Sequence, residues 1–176
     1  MYLEVPFISQ LSFGRAGTDP TGCWYASARM VAAAFEYGPR LGVPQLYSMG
    51  IRDRAGKAAI GHWAIEQGWM PTLMENEHLV EVEKSIMTNA ALLRNLIRLR
   101  GPLMFAWWKS AKGHAYGHMS TMIGVDGDEV IFHDPEDAPK SRMAMAQLRT
   151  SMKVMRHFPL IRRDAPPGSY MCGLVE

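Results

Sequence analysis

Gly22-Cys23-Trp24-Tyr25-Ala26-Ser27-Ala28-Arg29-Met30-Val31-Ala32-Ala33-Ala34-Phe35-Glu36-Tyr37 is the stretch on which the reading of this chain turns. From Cys23 to about Tyr37 its residues form helices well, and only Ser27, Arg29 and Glu36 interrupt the apolar surface. A helix apolar nearly all round is a buried one, and Gly38-Pro39 ends it. Cys23 opens that helix directly after a loop over 12–22 rich in Gly, Ser, Thr, Asp and Pro. A thiol attacks as the thiolate, and a free cysteine has a pKa near ~8.5. Backbone N–H groups at a helix start carry partial positive charge, which biases a first-turn cysteine toward the thiolate. The same groups can stabilise an oxyanion. A buried cysteine more often simply packs, so Cys23 alone decides nothing.

Working outward, the first half of the chain is helical and the second half extended. A helix is expected over about Lys57 to Gln67, stopped by Gly68, and an amphipathic one over 89–100. In the latter, Leu92, Leu96 and Leu99 share one face while Arg94 and Arg98 share another. Gly101-Pro102 stops it, and Leu103 to Trp108 reads as a strand. His118 to Val125 and Val130 to His133 are strands joined by an Asp126-Gly127-Asp128 hairpin turn. A helix near Met143–Ser151 and a strand near Val154–Ile161 follow, and Val5 to Ser9 is a short piece expected to lie extended. Helices first and neighbouring antiparallel strands later give an α+β fold, with N-terminal helices packed on a C-terminal antiparallel sheet. The 176 residues are expected to form one domain, since domains typically hold roughly 100–200.

The hairpin brings a second piece of chemistry together. His118 begins one strand and Asp134 ends the next, so antiparallel pairing makes them neighbours across 16 residues of sequence. A carboxylate there is expected to take the Nδ1 proton and leave Nε2 facing a thiolate, the logic of nucleophile, base and orienting group. His114, four residues earlier, is an alternative base. Its spacing from His118 also fits a metal pair on a helix, but the β pattern argues against a helix and no Glu follows the first histidine. No cofactor is expected.

Composition narrows the partners. With 48% hydrophobic and 20% charged residues the chain reads as an ordinary globular protein. Its net charge is +2 and its basic residues form no contiguous stripe, which argues against nucleic acid. No apolar run approaches the ~20 residues of a membrane span, so membrane insertion is not expected. The start, Met-Tyr-Leu-Glu-Val-Pro, lacks a basic region followed by an apolar one, so export, where it occurs, is expected to use an address elsewhere or a specialised route. Two cysteines, Cys23 and Cys172, imply no disulfide framework, and Cys23 is expected to be free.

Val5-Pro6-Phe7-Ile8-Ser9-Gln10, Gly22-Cys23-Trp24-Tyr25-Ala26-Ser27-Ala28-Arg29-Met30-Val31, Gly101-Pro102-Leu103, Gly117-His118, Gly124-Val125-Asp126 and His133-Asp134-Pro135 occur in this order. The set resembles the papain-like cysteine proteases of the bacterial effector type, the AvrRpt2 (peptidase C70) and C39-like groups, across most of residues 5–135. That resemblance implies a papain-like fold, with Cys23 heading a central helix and His118 and Asp134 on a facing sheet. It implies Gln10 as the side-chain oxyanion donor, beside the Cys23 backbone N–H. It further implies a protein substrate and delivery as a bacterial effector or toxin into another cell's cytoplasm; a toxin would in turn need a cognate immunity (inhibitor) protein as partner in its producer. The same fold also hosts glutamine deamidases, transglutaminases and peptidoglycan amidases, with Trp63, Trp69, Trp107, Trp108 and Tyr116 as possible cleft walls. A non-catalytic binding module is the remaining alternative.

Overall fold

The computed structural model describes residues 1–12, 22–36, 51–52, 58–59, 70–111, 113–152 and 158–176. Among these the fold is mixed α+β, with four α-helices and an eight-stranded antiparallel sheet. The apolar run after Gly22 forms helix α1, Cys23–Ala33, and its Trp24, Ala26, Ala28 and Met30 are almost wholly buried. Gly22 precedes it and supplies no side-chain cap. Helix α2 is Met70–Asn76, α3 is Ala90–Arg100 and α4 is Met145–Met152.

The sheet is built around one long hairpin. Strand β5, Leu103–Ala111, pairs with β6, His114–Asp126, from Leu103↔Met122 to Ala111↔His114. The far end of β6 pairs on its other edge with β7, Glu129–His133, through the two-residue turn Gly127-Asp128. Strand β8, Ser141–Ala144, continues from β7. Beyond β5 lie β9, Leu160–Arg162, and β4, Leu79–Glu81. Thr121 on β6 ties the sheet to α1, its hydroxyl donating to the Ser27 carbonyl at 3.1 Å.

The sheet draws strands from both ends of the chain, not from the C-terminal half alone. Strand β1, Tyr2–Leu3, pairs with β6 at Gly124 where β5 has ended, and with β10, Leu174–Val175. Gly124 makes this possible, because a Cβ there would sit 2.4 Å from the Met1 carbonyl oxygen and 2.5 Å from Tyr2 Cβ. The C-terminal segment also clasps the helices. The Gly168 N–H donates to Leu99 O, the Tyr170 hydroxyl to Arg98 O and the Met171 N–H to Ala34 O.

Several boundaries move from the expected ones. Strand β6 starts at His114, so His118 lies within the strand and not at its start. Val5–Ser9 joins no strand; it is held by contacts from His133 and to Pro135. The helix expected over 57–67 lies outside the described residues, apart from Ala58–Ala59, which pair antiparallel with Ile51–Arg52 as strands β3 and β2. Helix α3 begins where expected because the Asn89 side chain accepts from the N–H groups of Ala91 and Leu92. It buries a different face, however. Leu93 and Ile97 are fully buried, while Leu92 and Leu99 are 53% and 42% exposed. Five large apolar residues spread over a wide arc of this helix, and its docking against β6 selects the i, i+4 pair in place of the leucine stripe.

Leu93→Ala and Ile97→Ala should each cost about 2–5 kcal/mol in urea unfolding. Leu92→Ala and Leu99→Ala should stay within about 0.5 kcal/mol of wild type. Equal losses from the two pairs would show that the stripe is the buried face after all.

Candidate active site

Three elements contribute the side chains that sequence reasoning singled out. Helix α1 presents Cys23, half-buried at its first position, as a free thiol. Strand β6 presents His118, 2% exposed, and the turn after β7 presents Asp134, 3% exposed. The two meet at 2.7 Å, His118 Nε2 to Asp134 Oδ1. The imidazole also meets Cys23 through a hydrogen bond and a charge interaction, both of which favour the protonated ring as donor. The ring is therefore turned opposite to the expected way. Asp134 arrives from the end of the neighbouring strand and meets the ring at its distal nitrogen, which leaves Nδ1 as the nitrogen available to Cys23.

Aromatic rings wall the imidazole. Trp107, paired directly opposite His118 on β5, packs edge-on at 5.8 Å, and Tyr116 at 6.1 Å. The Trp107 indole N–H donates to Ser120 Oγ at 3.1 Å, which fixes the wall. Trp107 is buried and Trp108 is exposed; Trp63 and Trp69 lie outside the described residues.

Burial works against a charge on His118, but the bond to Asp134 and the contact with Cys23 outweigh it and push its pKa up to about 9. Burial likewise works to raise Asp134, yet His118 and Lys109 hold its carboxyl down at about 2.

Gln10 is buried in a 3-10 turn, Gln10–Ser12, that lies beside α1. Its backbone N–H donates to Pro135 O at 2.8 Å, and the Ser9 hydroxyl reaches the same carbonyl at 3.3 Å. Gln10 is thereby tied to the turn that carries Asp134. His114 is exposed at the start of β6, roughly 13 Å along the strand from His118 at about 3.3 Å per residue. It is His118, not His114, that meets Asp134.

Residues 2–153 match the family model for peptidase C70, described as papain-like cysteine protease AvrRpt2. The chain belongs to that family. Membership makes it a relative of papain-like cysteine peptidases over most of its 176 residues. No helix among the described residues is long and apolar enough to cross a membrane.

The site of this family member also holds residues that sequence reasoning did not assign to it. Lys109, on β5 and almost fully buried, places Nζ 2.8 Å from Asp134 Oδ2, 2.9 Å from Glu136 Oε2 and 2.8 Å from Asp137 Oδ2. Burial opposes its charge, but the three carboxylates raise its pKa above the ordinary lysine value. The Tyr116 hydroxyl donates to Glu136 Oε2 at 2.5 Å. Burial and that carboxylate push its pKa up to about 12. A signal was present: alternation puts Lys109 on the same face as Trp107, ahead of the acidic run Glu136-Asp137. His118, Asp134 and Glu136 bring three potential ligand atoms within 4.8 Å of one another. The Lys109 ammonium already stands where a cation bridging these carboxylates would go, so the cluster is an ion-pair network.

His133, the third histidine of the group, has a structural part. Its Nε2 donates to Val5 O at 2.8 Å and its Nδ1 accepts the Lys140 N–H at 3.1 Å, which fixes one neutral tautomer. Burial lowers its pKa accordingly.

An unfolded His118 releases its proton near 6.5, whereas the folded one keeps it to about 9. Between those values the folded state carries more protons, so stability declines as pH rises through that window and is complete below it. The contribution is on the order of 3 kcal/mol. In urea titrations from pH 6 to 9.5, Asp134→Asn should remove most of the decline. An unchanged slope in that variant would mean that Asp134 does not set the proton affinity of the ring.

Proposed function

We propose that the chain is a cysteine peptidase whose nucleophile is Cys23, whose base is His118 and whose orienting acid is Asp134. The observation that carries this reading is the buried imidazole held between the Asp134 carboxylate and the thiol at the head of α1. A proton affinity at His118 raised to about 9 keeps the ring protonated at neutral pH, which suits it to give a proton to a leaving amine. We take the layering to be papain-like, with α1 against the sheet; the Thr121–Ser27 bond supports it.

In the proposed reaction the Cys23 thiolate attacks the carbonyl carbon of a peptide bond in a protein. The carbonyl π electrons move to oxygen, and the oxyanion is met by the Cys23 backbone N–H and the Gln10 side chain. His118 gives its Nδ1 proton to the leaving amine as the C–N bond breaks, which leaves a thioester on Cys23. His118, now neutral, takes a proton from water, whose oxygen attacks the thioester; the acid leaves and the thiolate–imidazolium pair returns. Asp134 stays ionised and keeps the ring from turning. We take the setting to be that of a bacterial effector or toxin domain; a toxin would need an immunity protein that covers the site in the producing cell.

Mapping new protein N-termini in cells expressing wild type or Cys23→Ala tests the reaction. Termini specific to the wild type are expected, and Cys23→Ala and His118→Ala should each lower turnover at least ~1,000-fold. Unit mass increases at glutamine without new termini would assign deamidation instead. A full biological effect from Cys23→Ala would leave a binding module.

A further inference from the structure

Lys109 lies two residues beyond Trp107 on β5, opposite Tyr116, with its side chain on the face that carries His118. An ammonium is costly to bury unless it is paired, and here one cation meets three carboxylates. Asp134 is gripped by both its oxygens. Oδ1 takes His118 Nε2 at 2.7 Å and the Glu136 backbone N–H at 3.0 Å, while Oδ2 takes Lys109 Nζ at 2.8 Å. With both oxygens engaged, the carboxylate cannot swing away from the ring.

Glu136 is the more telling partner. Its Oε2 lies 4.0 Å from His118 Nδ1, the nitrogen that the proposed chemistry gives to Cys23. Lys109 at 2.9 Å and the Tyr116 hydroxyl at 2.5 Å hold that oxygen back. Released, Glu136 would be a carboxylate within easy reach of an imidazolium N–H, in competition with the thiolate.

We propose that Lys109 is a positioning residue that locks Asp134 against His118 and holds Glu136 off the ring nitrogen that serves Cys23. This rests on the reading of Cys23, His118 and Asp134 as the reacting set. Lys109 acts through two carboxylates, Asp134 and Glu136. Among the described residues, the titratable groups around the imidazole are Cys23 from α1, Lys109 from β5, Tyr116 from β6, and Asp134, Glu136 and Asp137 after β7.

The rate of Cys23 alkylation by iodoacetamide, followed by peptide mass from pH 5 to 10 with Cys172 as internal reference, tests the proposal without knowledge of the substrate. Wild-type Cys23 should react at least ten-fold faster than Cys172 at pH 6. Lys109→Met should lose at least ten-fold of that rate, and adding Glu136→Gln should recover several-fold of the loss. A purely structural lysine would give a loss that Glu136→Gln does not mend. A wild-type rate and profile in Lys109→Met would overturn the assignment while leaving the triad standing. Should wild-type Cys23 itself react no faster than Cys172, the triad and Lys109 fall together. If Lys109→Met does not fold, Lys109→Arg, which keeps the charge but moves it, should be slowed about three- to ten-fold and mended by Glu136→Gln. An unmoved rate in Lys109→Arg would then overturn the proposal.

Discussion

An imidazole that is 2% exposed keeps its proton to about pH 9 because a carboxylate meets it at 2.7 Å and Cys23 adds to the hold from helix α1. Bringing an ion pair out of water costs several kcal/mol per ion, so such a pair persists only where geometry and further hydrogen bonds satisfy both members. Each member here is served in that way. The ring has Asp134 on one nitrogen and Cys23 near the other, while the carboxylate has His118, Lys109 and a backbone N–H. Removing Asp134 or Lys109 leaves an uncompensated charge in the interior, and β5, β6 and the turn after β7 bring Lys109, His118 and Asp134 together while α1 supplies Cys23.

That requirement explains features of the fold which packing alone does not. A lysine on the inner face of β5 and the acidic residues after β7 look misplaced in an apolar sheet until they are counted together. Lys109 offsets Asp134, Glu136 and Asp137, two of which are largely or partly buried. Trp107 and Tyr116 complete the enclosure and keep water from the ring. The Gln10 turn closes the far side of the Asp134 turn through Pro135, so a segment near the chain start is fastened to the part of the sheet that carries the acid.

Period-2 alternation and a two-residue hairpin were enough to read His118 and Asp134 as neighbours from sequence, because antiparallel pairing fixes which residues stand side by side. The same rule gives no torsion angles, and so the choice of Nδ1 or Nε2 for the carboxylate lay beyond it. Lys109 escaped notice for a different reason: at the edge of an apolar run a lysine reads as the end of a strand, and β5 in fact continues to Ala111. On α3 the leucines at 92, 96 and 99 obey a helical period as well as Leu93 and Ile97 do. Only the neighbours, β6 on one side and the 168–171 segment at its end, decide between them. The place of β1 beside Gly124 was equally hidden, since pairing between chain ends leaves no periodic mark.

The proposed chemistry depends on two quantities that this fold controls separately. How near the thiol comes to the ring is set by the seat of α1, through its buried residues and the Thr121–Ser27 bond. How the ring is turned is set within the sheet, by Asp134 and the lysine behind it. A change that loosens the α1 seat therefore weakens the thiol–imidazole contact while the His118–Asp134 bond endures. A change in the charge network leaves the distance intact and misdirects the proton. The nucleophile and the proton carrier thus ride on different elements that pack on each other, α1 and β6, and the site is a property of their junction rather than of either one.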